Sequence, residues 1–249
     1  MQHDPLISQH KIVGLPQENQ SSSHELPASI PPAIDSLEPE IEEHDEAHAM
    51  RGRFFRDEDQ GTFLNWLATD MPIELEIGSG KGLFLTNAAK RAPNRRFVGL
   101  ELAAKYALEC QARIEKSAIP NAKFYACDAV AVLDLDVADC SLDAVHVYFP
   151  DPWWKSRHKK RRVLNEKSLC DIERVLKPAG SLHFWTDVLD FYEGTLELID
   201  QVTKLKGPYF VSEPPATHEM DYLTHFERRT RRNGLPVYRS RFTKCNSMK

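Results

Sequence analysis

The stretch Ile73-Glu74-Leu75-Glu76-Ile77-Gly78-Ser79-Gly80-Lys81-Gly82-Leu83-Phe84-Leu85 constrains the fold more than any other part of this 249-residue chain. A short alternating run of apolar and acidic residues stops at three glycines spaced two apart, and an apolar helical pattern opens directly after them. Glycines in that position let the backbone turn tightly and approach a ligand closely. The strand–turn–helix unit is then repeated along the chain. The pattern predicts strands at residues 73–77, 96–101, 122–126, 143–149 and 181–186, and helices at residues 81–91, 103–117, 165–176 and 188–202. The third helix is the best punctuated, with Asn165 as N-cap, Leu169, Ile172, Val175 and Leu176 on one face, and Pro178 with Gly180 as its stop. Antiparallel strands near Tyr209 and over residues 236–242 follow. The expected fold is α/β, a doubly wound, Rossmann-like and mostly parallel sheet with an antiparallel C-terminal edge, whose ligands sit at the carboxyl ends of the strands.

The first 50 residues are of another kind. They are rich in Ser, Pro, Gln, Glu and His, lack an apolar period, and are expected to form a disordered acidic extension to a domain spanning residues 51–249. They hold ten of the 37 acids and one of the 32 Lys plus Arg, so the formal net charge of −5 conceals a surplus of four positive charges in the rest. Those charges cluster. Six of the eight residues from Lys155 to Arg162 are basic, and residues 228–249 carry eight basic residues and no acid. Such clusters in a balanced domain are the footprint of a polyanionic partner. No apolar run reaches the roughly 18 residues needed to span a bilayer, and the N-terminus lacks a basic end followed by an apolar stretch, so a cytoplasmic protein is expected. Five scattered cysteines without a CxxC pair read as reduced thiols, and no metal site is expected.

The glycine pattern is G-x-G-x-G, neither the G-x-G-x-x-G of dinucleotide enzymes nor a P-loop. Glu76, just before it, repels a pyrophosphate but suits a cationic ligand such as an ammonium or sulfonium group. Glu101 closes the second strand, where a carboxylate accepts both hydroxyls of a ribose, and Asp128 follows the third, within reach of an adenine amine. Glu76, Glu101 and Asp128 with Gly78, Gly80 and Gly82 together resemble the cofactor site of class I S-adenosylmethionine-dependent methyltransferases.

The fourth strand runs into Phe149-Pro150-Asp151-Pro152-Trp153-Trp154-Lys155 and then the basic run. This segment, with Trp185-Thr186-Asp187 and Thr224-His225-Phe226-Glu227, resembles the bacterial tRNA (guanine-N7)-methyltransferases, which modify the guanosine at position 46 of the variable loop. The resemblance implies S-adenosyl-L-methionine as cofactor and tRNA as partner, a monomer or homodimer, and Asp151 as both catalytic residue and cofactor contact. It implies substrate contacts at Lys155, Asp187, Thr224, His225, Phe226 and Glu227, and RNA contacts at Arg157, His158, Lys159, Lys160, Arg161 and Arg162. Two positions depart from the family pattern: His225 stands where Lys is usual, and Trp154 where His or a smaller residue is common.

Guanine N7 carries an in-plane lone pair that is free of a proton at neutral pH, so the expected chemistry is positioning more than base catalysis. A carboxylate such as Asp151 stabilises the positive charge arriving on the purine. Asp187 or Glu227 is expected to accept from guanine N1 and N2, and Trp153 and Trp154 either stack on the base or hold the loop of Asp151. His146 reads as a satisfied core residue. Two rivals remain: a class I amino-methyltransferase acting on another nucleic acid, protein or small molecule, given the loose likeness of Asp151-Pro152-Trp153 to a (D/N)PP(Y/W) loop, and a non-catalytic RNA-binding module. The retained cofactor acids oppose the latter.

Overall fold

The computed structural model describes Phe55 and residues 59–153, 155–213, 215, 216, 218 and 221–246. The expected extension over residues 1–50 lies outside the described residues, as do Trp154 and the side chains of Lys159 and Lys160. Helix α1 (Asp59–Leu67) precedes the alternation β1 (Ile73–Ile77), α2 (Leu83–Arg91), β2 (Arg96–Glu101), α3 (Ala104–Lys116), β3 (Ala122–Ala126), α4 (Ala129–Leu135), β4 (Leu142–Tyr148). A 3₁₀ turn (Ser156–Arg161) leads to α5 (Glu166–Val175), β5 (Leu176–Thr186), α6 (Leu189–Val202), β6 (Lys206–Phe210), α7 (His225–Arg232) and β7 (Tyr238–Thr243). The seven strands order as β3-β2-β1-β4-β5-β7-β6. The first five pair in parallel, and β7 runs antiparallel to both β5 and β6, which is the expected architecture.

Helices cover both faces, so the inner strands are apolar on both sides, as parallel sheets require. Phe84, Leu85 and Ala89 of α2 and Cys110 and Ile114 of α3 pack with Phe97, Phe124, Tyr148 and Trp185 on one face. On the other, Phe63 of α1, Leu133 of α4, Leu169 and Ile172 of α5, and Phe191 and Ile199 of α6 close over Leu75, Val98, Val145 and Leu182. All five cysteines are free thiols. Among the described residues no helix is long and apolar enough to cross a membrane.

The largest departures from expectation are the junction of α5 with β5 and an additional helix, α4. Asn165 does cap α5, in a reciprocal box with Ser168, but Leu176 belongs to β5 rather than to the helix, and Pro178 and Gly180 lie inside that strand. The ladder to β4 shifts register between Leu142 and Ala144, and Ala179 takes a left-handed φ of +63°. That bulge accommodates a proline that has no N–H to give the ladder. Helix α4 was not expected because Ala129–Leu135 shows no period; its N-terminus is set by Asp128, whose Oδ1 accepts from the Val130 N–H at 3.0 Å.

Candidate active site at the carboxyl ends of the strands

Gly78, Gly80 and Gly82 all have positive φ, at +70°, +51° and +67°. Gly82 is required twice over, because a Cβ there would lie 2.6 Å from the Phe124 ring and 2.9 Å from Cys110 Sγ. At Gly78 and Gly80 a Cβ would point into open space, so the turn presents bare backbone on its ligand side. Glu101 secures the turn: Oε2 accepts from the Gly80 N–H at 2.7 Å and Oε1 from the Ala103 N–H at 2.9 Å. Each oxygen keeps a second lone pair for a further donor.

Glu76 is 3% exposed, and its Oε2 has no hydrogen-bond partner among the described residues. Burial, and then the nearby Glu101 carboxylate, push its carboxyl well above the usual range. A buried carboxylate without a counter-charge is costly by several kcal/mol, on the order of a lost charged hydrogen bond or more. The chemistry that relieves it is a cation brought by a ligand. Glu76, Glu101, Asp128 and the glycine turn therefore fit a nucleoside that carries a positively charged tail.

The next loop is held from several sides. Phe149 and Trp153 adopt left-handed φ values of +51° and +43°, conformations that bulky residues rarely take and that cluster at functional loops. The Phe149 N–H bonds to the Trp185 carbonyl at 2.8 Å, and the Trp153 N–H bonds to Asp151 Oδ1 at 3.0 Å. Arg162 Nε donates to the Pro152 carbonyl at 2.8 Å. Trp153 meets His158 edge-on at 5.6 Å and lies 5.1 Å beneath the Arg161 guanidinium, so its ring supports the loop. Asp151 is left exposed at the tip. Lys155 and Arg157 are exposed beside it. His158 accepts from Arg157 Nε at 3.1 Å; desolvation and the Arg161, Arg157 and Lys155 charges hold its pKa below the usual value, so it stays neutral within this basic run.

Asp187 is exposed, its Oδ2 accepting from Thr230 Oγ1 at 3.2 Å. Thr224 caps α7 through the Glu227 N–H at 2.9 Å. Phe226, half exposed, stacks on Phe149 with ring centroids 6.0 Å apart and lies under Arg229 at 4.7 Å. Glu227 is placed differently from expectation. It is 1% exposed; Oε2 accepts from the Leu223 N–H at 2.6 Å, and Oε1 from Arg231 Nη1 at 3.2 Å and Arg239 Nη2 at 3.0 Å. Those arginines also grip Glu213, and Arg239 lies 4.9 Å over the Trp185 ring. In this arrangement the carboxylate anchors α7 to β7, enclosed by Arg231 of its own helix and Arg239 of β7. Phe149, Arg231 and Arg239 were given no role of their own from the sequence; the left-handed Phe149 conformation has no local signal, and nothing in the alternating β7 marks one arginine as buried.

His146 is satisfied as expected, with Nδ1 2.9 Å from Tyr148 Oη and Nε2 2.9 Å from Glu74 Oε2. Two cavities, of about 290 Å³ by Trp66, Arg96 and Lys123 and about 360 Å³ by Glu74, Arg95 and His183, lie at the amino ends of the strands. The glycine turn and the unpaired acid lie at the other ends, and they mark the site by chemistry rather than size.

A family model described as "Putative methyltransferase" matches residues 70–240. A tRNA (guanine-N(7)-)-methyltransferase of Rhodopirellula baltica is 49% identical over 176 residues, covering 68% of this chain and 65% of the relative, so the chain spans slightly less than two thirds of that protein. One of the same name from Alcanivorax borkumensis is 35% identical over 198 residues, covering 77% of this chain and 81% of the relative. Among solved structures, the 16S rRNA methyltransferase KamB superposes with a TM-score of 0.54 at 18% identity, over 77% of this chain and 95% of its own, a likeness of fold.

Proposed function

The chain belongs to the tRNA (guanine-N(7)-)-methyltransferase family, and on that premise we propose that it methylates N7 of a guanine in tRNA, at position 46 of the variable loop, with S-adenosyl-L-methionine as donor. The observation that carries the reading is the buried Glu76, its Oε2 without a partner, beside a bare glycine turn, with an exposed, strain-held Asp151 loop that opens into six basic residues at the carboxyl end of the neighbouring strand. The cofactor's sulfonium supplies an electrophilic methyl group. Glu76 offers a counter-charge to its cationic tail, Glu101 keeps lone pairs for the ribose hydroxyls, and Asp128, with one oxygen capping α4, offers the other to the adenine amine.

Asp151 stands at the loop tip, where its charge stabilises the cation formed as N7 gains the methyl group. Asp187, Thr224, His225 and Phe226 border the base from the α7 side, while Glu227 positions that helix. Lys155, Arg157 and the rest of the run through Lys159, Lys160, Arg161 and Arg162 hold phosphates without reading sequence. The guanine is then selected by tRNA shape and an accessible base. The catalytic domain is residues 51–249, with the acidic extension outside it, and the protein acts in the cytoplasm as a monomer or homodimer.

Incubation with cofactor and unmodified tRNA transcript, followed by digestion to nucleosides and mass analysis, tests the reading. Wild type is expected to yield 7-methylguanosine. Asp151→Ala is expected to lose about 100- to 1,000-fold in kcat, the scale of one removed electrostatic stabiliser, while cofactor still binds. Cofactor binding without any methylated nucleoside on tRNA would remove the substrate assignment and favour the amino-methyltransferase reading.

A further inference from the structure

Lys81, in the glycine turn, and Arg113, on α3, are exposed, and neither forms an ion pair among the described residues. Arg113 Nη1 donates to the Lys81 carbonyl at 2.8 Å, which ties the third turn of α3 to the glycine turn. Lys81 Nζ lies 5.8 Å over the Tyr106 ring. Helix α7 begins on the same face of the sheet. Leu223, next to its N-cap, packs against the apolar cluster that runs from Phe84, Cys110 and Phe124 to Tyr148 and Trp185, and Arg228 Nη2 lies 3.4 Å from His225 Nδ1. Burial and the charges of Arg228, Lys81 and Arg113 hold the His225 pKa below its usual value. Glu109, one turn before Arg113, forms no ion pair with it.

The Lys155–Arg162 run ends on the other face of the sheet: Arg162 lies 5.0 Å from the Phe191 ring of α6, and Leu164 is part of the α1–α4–α5–α6 core. We propose that Lys81, Arg113 and Arg228 form a second phosphate-binding face for the RNA, on the α2–α3 side of the strand ends, so that the backbone is held from both faces of the sheet. The cations come from three separate elements and two of them stand in solvent, which suits successive phosphates along a strand rather than a single enclosed anion. A grip from both sides restrains the RNA against rotation about the reacting base, as a single basic strip does not.

This inference rests on the proposed RNA substrate, and the experiment separates the two. The dissociation constant for unmodified tRNA is measured against salt for wild type, Arg113→Ala, Lys81→Ala and their combination, with cofactor affinity and melting temperature taken in parallel. Each lost contact should flatten the plot of log K against log salt by somewhat under one unit, about a three- to fourfold factor over a fourfold rise in salt. The double variant should lose close to two units and show a raised KM for tRNA at unchanged cofactor affinity, and Arg113→Lys should restore its share. An unchanged slope in folded variants overturns the face, as does weaker RNA binding that tracks a loss of cofactor affinity, since the residues would then act through the glycine turn. Wild type that binds tRNA but methylates none removes the functional reading, while the slopes still decide whether this face holds RNA.

Discussion

Glu76 and Glu227 are equally hidden, at 3% and 1% exposure, yet the protein treats them in opposite ways. Glu227 is met by the Leu223 N–H and two guanidinium groups, so its charge is fully compensated within the fold. Glu76 has an orphan oxygen, a like-charged neighbour in Glu101, and a carboxyl pushed well above its usual range. The difference separates a carboxylate whose charge folding alone satisfies from one that the fold leaves without a counter-charge, as expected of a group that meets a cationic ligand.

The largest expected effect tests the satisfied member. Glu227→Gln leaves Arg231 and Arg239 in a buried site with half their counter-charge, and should destabilise the domain by about 3–5 kcal/mol, read from denaturant unfolding. Unaltered stability would mean that the arginines are content with Glu213 and that Glu227 is available for substrate. Glu76→Gln should do the reverse: the domain without cofactor melts higher, because a neutral amide is easier to bury, while affinity for S-adenosylmethionine falls by about 10- to 100-fold, the scale of one charge-assisted bond. A lower melting temperature would show that Glu76 has a partner within the fold.

A smaller effect follows from the raised Glu76 pKa. A group whose folded pKa lies above its unfolded value contributes stability that is complete below the ordinary carboxyl range and is lost as pH rises through the folded value. The domain without cofactor should therefore lose stability across that window, and Glu76→Gln should remove that part of the slope. A cationic ligand favours the ionised form, so cofactor affinity should rise with pH in the same window, by up to about tenfold per unit, with protons released on binding. Calorimetry in buffers of different ionisation heat measures that release; none, with flat affinity, would place the cation elsewhere. The smallest effect is at the exposed Lys155, where Lys155→Ala should reduce the salt slope of tRNA binding by somewhat under one unit without changing stability.

Much of this site was legible in the sequence because its signals are local. A strand, three glycines and a helix occupy consecutive residues, and Glu101 and Asp128 follow from where the next two strands end. The Asp151 loop and its basic run are likewise one continuous segment. Where a signal was not local, the reading stopped short. Ala129–Leu135 is apolar on nearly every residue and carries no period, so α4 was missed. Pro178 looked like a helix stop, but a bulge against β4 lets β5 pass through it. The burial of Glu227 had no local sign, since Arg239, which covers it, stands on β7, twelve residues away.

The chain's own order of residues determined the βαβ alternation, the turn at Gly78 to Gly82, the acids at the strand ends and the contiguous basic run, because backbone conformation and periodicity are set by neighbours within a few positions. Only the tertiary structure decided which buried carboxylate has a counter-charge, which aromatic ring packs in the Asp151 loop, and that Arg113 of α3 reaches the glycine turn at Lys81. Desolvation and Coulomb interaction depend on what surrounds a group in space, and the sheet brings together residues more than a hundred positions apart.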